Sequence, residues 1–196
     1  MIHGVVLAAG LGRRMGGPKA LLEWRGETLH HRALRCFRDA AIGTVVVVVN
    51  PEVDRALPPP HPDERRVVNV DPDQAAGMFA SVRLGVAEAL RLGSSGALLL
   101  PVDHPLVTPA DLCVLSRRLK EGAAIVVATH KGQRGHPIGL SRAVMEEVIG
   151  VGDAPTLRAI VRRDAARVVE APVSEGAVQG INTSEDLARV LNAQLR

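Results

Sequence analysis

The chain has 196 residues, 46% of them hydrophobic, with a net charge of +3 that is spread along its length. That is one domain with a real core, residues 1–196, and it argues against a nucleic-acid or membrane partner. With no tyrosine, two phenylalanines and one tryptophan, the composition argues against stacking on aromatic platforms as the way a base is held, so backbone groups are expected to do most of the reading.

Ile2–Leu7 is an apolar run that reads as a buried strand. A glycine-rich stretch follows to Leu22, and Glu23–Glu27 reads as a turn. Leu29–Ala40 is the first helix, with Leu29, Ala33, Leu34 and Phe37 on one face. His30 and His31 at its start point in different directions and read as surface histidines. Thr44–Val49 is an uninterrupted β-branched run, the pattern of a strand covered on both faces. Pro51–Pro62 holds five prolines and reads as loop with a short helical turn near Val53–Leu57. Arg66–Val70 is a third strand, Asp71–Gly77 a loop, and Met78–Leu92 a helix with Met78, Val82, Val86, Ala89 and Leu90 inward.

Ala97–Val102 is an apolar strand ending at Asp103. Thr108 and Pro109 open the next helix, with Asp111 at its third position and Leu112, Leu115 and Leu119 buried. Ala123–Ala128 and Pro137–Leu140 are strands joined by a basic connection, His130–Gly135. Ser141–Ile149 and Pro155–Arg163 read as helices, Arg167–Ala171 and Val178–Ile181 as strands, and Thr183–Leu195 as the closing helix with Leu187, Val190, Leu191 and Leu195 inward. Cys36 and Cys113 fall in predicted helices without metal-ligand spacing and read as buried free thiols, which fits a reducing compartment. No charged leader precedes the first strand and no apolar run is long enough to span a bilayer, so the expected location is the cytoplasm. Strands alternating with helices predict an α/β fold, three-layered and Rossmann-like, with a mostly parallel sheet covered on both faces. Ligands of such folds sit beyond the carboxyl ends of the strands, where the glycine-rich stretch, Asp71 and Asp103 all fall.

The stretch LAAGLGRRMGGPKALL, Leu7–Leu22, carries Gly10, Gly12, Gly16 and Gly17 with Arg13, Arg14 and Lys19 among them. Glycines permit sharp turns whose N–H groups cradle anions, and the cations add full charge. A Walker-type loop is excluded because Pro18 stands where its lysine belongs. A dinucleotide fingerprint fits poorly: the third glycine comes one residue late, and the second strand ends in Val49-Asn50 without an acid. The remaining reading is a loop that wraps a nucleoside triphosphate, with Arg14 and Lys19 on its phosphates.

This stretch closely resembles the signature of nucleotidyltransferases with a nucleotide-diphospho-sugar transferase fold, nearest to the molybdenum cofactor cytidylyl- and guanylyltransferases. The resemblance implies a metal-binding aspartate in PVDHPLV, hence Asp103. It implies nucleotide contacts from Leu7, Ala8, Ala9, Gly10 and Gly12, and from Asp71, Gly77 and Ser81 around GMFAS. It matches RGHP to an element facing the acceptor, through Arg134 and His136, and GINTSEDL to the final motif, where Asn182 stands. Each has an ordinary alternative. Asp103 caps a turn, Ser81 is a first-turn residue, Arg134 an exposed loop arginine, His136 a packed histidine, and Asn182 opens a helix beside Thr183. His104 reads as solvent-facing or hydrogen-bonded.

The implied reaction is Mg²⁺-dependent transfer of a nucleotide from CTP or GTP to a phosphorylated acceptor of the molybdopterin type, with pyrophosphate leaving and a molybdoenzyme as a further partner. LAAG puts CTP ahead of GTP; Asp71 and Asn182 depart from the cytidylyl pattern and leave the base open. The alternatives are a sugar-phosphate or alcohol-phosphate acceptor, a module that binds and delivers nucleotide or pterin cofactor without turnover, and a nicotinamide-dependent oxidoreductase.

Overall fold

The computed structural model describes residues 1–70, 77–151 and 156–192. Its centre is a seven-stranded sheet in the order β5-β4-β1-β6-β8-β7-β9. The strands are β1 (Ile2–Ala8), β4 (Val45–Val49), β5 (Glu64–Val68), β6 (Gly96–Pro101), β7 (Ile125–His130), β8 (Gln133–Ser141) and β9 (Val168–Pro172). All neighbouring pairs are parallel except those of β8, which runs against both β6 and β7. A two-stranded hairpin, β2 (Glu23–Trp24) and β3 (Glu27–Thr28), stands apart.

Side chains alternate across the sheet and feed two cores. Val45, Val47 and Val49 face one with Leu98 and Leu100, and Val46 and Val48 face the other with Leu99. The first core is closed by Leu29 and Phe37 of α1 (Leu29–Asp39), Val53 of α2 (Pro51–Ala56), Leu112 and Leu115 of α4 (Pro109–Lys120) and Val190 of α7 (Ser184–Asn192). The second is closed by Val82 and Val86 of α3 (Gly77–Arg91), Met145 and Val148 of α5 (Arg142–Gly150) and Ile160 of α6 (Leu157–Arg163). Leu98 is fully buried, so its truncation to alanine costs about 2–5 kcal/mol. Thr108 and Asp111 form the expected capping box at the start of α4, each side chain holding the other's backbone N–H.

Several sequence expectations need correction. Glu23–Glu27 is a hairpin, because Trp24, 4% exposed, packs into the first core and pulls its strand down with it. The Arg25 guanidinium lies 4.7 Å above its ring centroid. The short turn expected near Val53–Leu57 is α2, capped by Asn50. The connection His130–Gly135 is mostly strand, turning only at Lys131-Gly132, so β8 is more than twice as long as predicted. Val178–Ile181 is no strand. Glu175–Val178 forms a 3-10 turn that seats Gly176 against the Leu106 backbone, and the chain then leaves the sheet. His30 is buried with its Nε2 3.2 Å from Glu64 Oε1. Cys36 is buried, but Cys113 is exposed. Met78 is 65% exposed and Phe79 takes its inward place. Pro155 and residues 193–195, assigned above to helices, lie outside the described residues. None of the described helices is long and apolar enough to cross a membrane.

Candidate active site

The reversed direction of β8 shapes the crevice. β1, β6 and β7 present their carboxyl ends to it, while β8 presents its beginning, so Arg134–His136 reach the same edge of the sheet as Asp103.

At the end of β1 the glycine-rich loop folds back on itself. Gly12 has φ +58°, and a Cβ there would come within 1.8 Å of the Gly17 carbonyl oxygen. Its own carbonyl accepts from the N–H groups of Met15 at 2.7 Å and Gly17 at 3.4 Å. Only glycine permits that turn and that approach together. Lys19 then opens a second 3-10 turn, Lys19–Leu21. Its Nζ donates to Asp103 Oδ2 at 2.7 Å and to Asn182 Oδ1 at 3.0 Å. Asp103 follows β6 in a turn where the His104 N–H donates to the Pro101 carbonyl. The C-terminal segment is tied to it by a backbone bond, Ile181 N–H to the Asp103 carbonyl at 2.8 Å. Asn182 is held in turn by Asp186, which accepts from the Asn182 and Thr183 N–H groups at 3.0 Å each. Three segments far apart in sequence thus meet at one ammonium group.

Leu7, Ala9, Gly10, Gly12, Lys19, Gly77, Ser81 and Asp103 all line one cavity of about 270 Å³. Ala8 turns its side chain into the core at 1% exposed. Ser81 is at the cavity wall, but its Oγ accepts from Asn69 Nδ2 at 3.0 Å, so the hydroxyl also braces the end of β5. The Arg14 backbone lies in the 3-10 turn Arg13–Met15; its side chain and the whole of Asp71 are outside the described residues.

A second cavity of about 740 Å³ shares Leu7, Gly77 and Met78 with the first and is lined by His104, Arg134 and His136. Arg134 is exposed and donates from Nε to Glu170 Oε1 at 2.8 Å. The rings of His104 and His136 meet edge-on, centroids 4.8 Å apart. Both Nδ1 atoms are buried without a hydrogen-bond partner among the described residues. Burial pulls His136 down to about 4, helped by His104 and opposed by Asp103. Burial likewise lowers His104, so both rings are neutral near pH 7. His104 is therefore not solvent-facing: its side chain is largely buried against Gly180, and its Nδ1 has no hydrogen-bond partner among the described residues.

Residues 4–168 match the MobA-like NTP transferase domain family. The chain belongs to this family. It is 33% identical to a protein of Opitutus terrae named a probable molybdenum cofactor guanylyltransferase, over 89% of this chain and 86% of that one. It is also 31% identical to the nicotine blue oxidoreductase of Paenarthrobacter nicotinovorans, over 76% of this chain and 77% of that one. Among solved structures it resembles Rv0371c of Mycobacterium tuberculosis, crystallised in complex with manganese, with a TM-score of 0.76, 26% identity and 98% of each chain covered. The MobA-like chain is a nucleotidyltransferase with the nucleotide-diphospho-sugar transferase fold.

This MobA-like transferase has a donor set suited to a hard divalent ion. Asp103 Oδ1 is buried with no hydrogen-bond partner among the described residues, next to an oxygen-presenting Asn182. Among the described residues no group of three or more His, Cys, Asp and Glu side chains could hold a metal. That sparse set fits an ion that completes its shell with phosphate oxygens and water.

Sequence reasoning missed Asn50 of this family member. Its Nδ2 donates to the Ala9 carbonyl at 3.1 Å while its Oδ1 accepts from the Val53 N–H at 2.8 Å, so one buried amide fixes the glycine-rich loop to the start of α2. The available signal was Asn-Pro-Glu, which marks a helix start; the partner just past β1 left none.

Proposed function

We propose that the protein transfers a nucleoside monophosphate from GTP or CTP to the phosphate of a molybdopterin-type acceptor, releasing pyrophosphate. The carrying observation is the convergence of Asp103 and Asn182 on the Lys19 ammonium, with Lys19 and Asp103 at the wall of the cavity built by the glycine-rich loop. The names of the relatives support the acceptor and favour GTP; Leu7–Gly10, reading LAAG, favours CTP.

An acceptor phosphate monoester is already ionised at neutral pH, so no general base is needed. One of its oxygens bonds to the α-phosphorus as the bond from that phosphorus to the β-bridging oxygen breaks, and pyrophosphate carries off the electron pair. Two anions must meet, so the barrier is electrostatic and is lowered by charges fixed in advance. Lys19 serves this, joined by Arg14 as the motif implies, holding the triphosphate tail and stabilising the leaving group. Asp103 and Asn182 would hold Mg²⁺, which supplies charge neutralisation at the transferred phosphate; the manganese in the Rv0371c crystal supports a divalent ion in this fold. Backbone groups of Leu7–Gly12 seat base and sugar, and the larger cavity takes the acceptor beside Arg134 and His136.

The test is pyrophosphate release and product mass with GTP and CTP, Mg²⁺ and a panel of molybdopterin, sugar-phosphate and alcohol-phosphate acceptors. Product with only the sugar or alcohol phosphates would reassign the acceptor, and binding without pyrophosphate release would make the protein a delivery module. A second reading, nicotinamide-dependent reduction, is favoured by one observation, the nicotine blue oxidoreductase relative. It predicts oxidation of a reduced nicotinamide cofactor in the same cavity.

A further inference from the structure

The larger cavity contains groups that nucleotide transfer does not use. Its floor is apolar, with Phe79, Val82, Leu99 and Ile138. At about 740 Å³ it falls within the range of roughly 300–1,000 Å³ that accepts a bicyclic small molecule. Among the described residues lining it, every charged side chain is an arginine: Arg134, Arg158 and Arg162. Arg134 is paired with Glu170. Arg158 and Arg162 form no ion pair or hydrogen bond among the described residues, and both are exposed. They stand four residues apart on α6, hence one turn apart on the same face. Two adjacent guanidinium forks without carboxylate partners among the described residues, at the rim of an apolar basin, are a receptor for an anionic group. A second observation points to a ligand in the same place. The Nδ1 atoms of His104 and His136 are buried at the cavity wall with no partner among the described residues, each able to make one hydrogen bond to a ring heteroatom.

We propose that the acceptor is anionic at both ends. Its phosphate reaches the Lys19–Asp103 end through the shared wall of Leu7, Gly77 and Met78, its uncharged heteroaromatic body lies over the apolar floor, and a second anionic group is held by Arg158 and Arg162. This rests on the transfer reading above and adds to it the chemical class of the acceptor's far end and the residues that select it.

The experiment uses two bicyclic heteroaromatic phosphate monoesters that differ by one ring carboxylate. Each is titrated calorimetrically into the full chain with Mg²⁺ and an α,β-methylene triphosphate. The wild type is expected to bind the carboxylated probe about tenfold tighter, and R158Q/R162Q to bind the two alike with unchanged triphosphate affinity. R158K/R162K should keep part of the preference, because charge survives without the fork. The single variants R158Q and R162Q carry the same test if the double variant melts early. A wild type indifferent to the carboxylate, or R158Q/R162Q keeping the preference, overturns the proposal. Turnover is scored separately: no pyrophosphate release with either triphosphate and any acceptor overturns the transfer reading, and the carboxylate preference stands or falls without it.

Discussion

The Nζ of Lys19 stands 2.7 Å from Oδ2 of Asp103, with both side chains about one-fifth exposed. The same ammonium donates to Asn182 Oδ1, so a lysine sits on the side chains of both residues proposed for the metal and leaves Asp103 Oδ1 without a partner among the described residues. In the nucleotide-free protein, cation and metal then compete for one seat. A triphosphate that draws Lys19 to itself vacates it, and K19M should do so permanently. Mn²⁺ titration followed by electron paramagnetic resonance should show tighter binding to nucleotide-free K19M than to wild type, by about tenfold for one competing charge near a protein surface. Transfer should fall by about 100-fold because the leaving group loses its partner. Equal Mn²⁺ affinity in the two proteins would refute the competition.

Asp103→Asn keeps the size and removes the charge. Transfer should drop by about 100- to 1,000-fold, and Mn²⁺ binding should vanish from both wild-type and K19M backgrounds. The melting temperature should change little, since Asp103 lies at the rim and not in either core. Full turnover of D103N with Mg²⁺ would end the metal assignment.

Gly12→Ala should cost affinity more than stability. The new methyl would strike the Gly17 carbonyl, and the positive φ at Gly12 disfavours alanine, so the loop must open. The expected result is at least about tenfold weaker GTP or CTP binding by calorimetry, with the sheet's circular dichroism intact. Gly17→Ala is the control in the same loop, because a Cβ there meets nothing within 4 Å, its φ is not in the left-handed region and it does not line the cavity.

Glu64 gives the fold a pH dependence of its own. Burial pushes its carboxyl up, but the His30 hydrogen bond and charge, Arg66 and the His61 N–H together outweigh it and bring it from 4.5 down to about 2. A folded-state value below the unfolded one stabilises fully above pH 4.5 and is lost as pH falls toward 2. The shift corresponds to about 3 kcal/mol at most. In urea melts E64Q should be the weaker protein at pH 7, and its deficit should shrink steadily below pH 4.5. A deficit constant down to pH 3 would deny the linkage.

The two cores were legible because they rest on local signals. The β-branched run Thr44–Val49 and the Thr108-to-Asp111 cap need no partner elsewhere to be recognised. Asp103 was legible for a similar reason, a carboxylate closing an apolar strand. The direction and length of β8 were not. Gln133, Arg134 and Gly135 have no strand-like alternation, and their order comes from pairing with β7 across a turn. His30 misled because its partner Glu64 lies 34 residues away on β5. Met78 misled because helical periodicity alone cannot tell a core from a cavity wall. Arg158 and Arg162 fit an ordinary polar helix face until the cavity beneath α6 is seen.

Trp24 is the only tryptophan in a chain without tyrosine. Its indole is buried beneath the Arg25 guanidinium, two residues past the end of the glycine-rich stretch. All the ultraviolet emission of any consequence therefore originates from one buried indole, five residues after Lys19 in the sequence. Nature has in effect supplied a single dye on the segment that leaves the loop, so any rearrangement that reaches the indole can be followed optically in the untagged, unmutated protein.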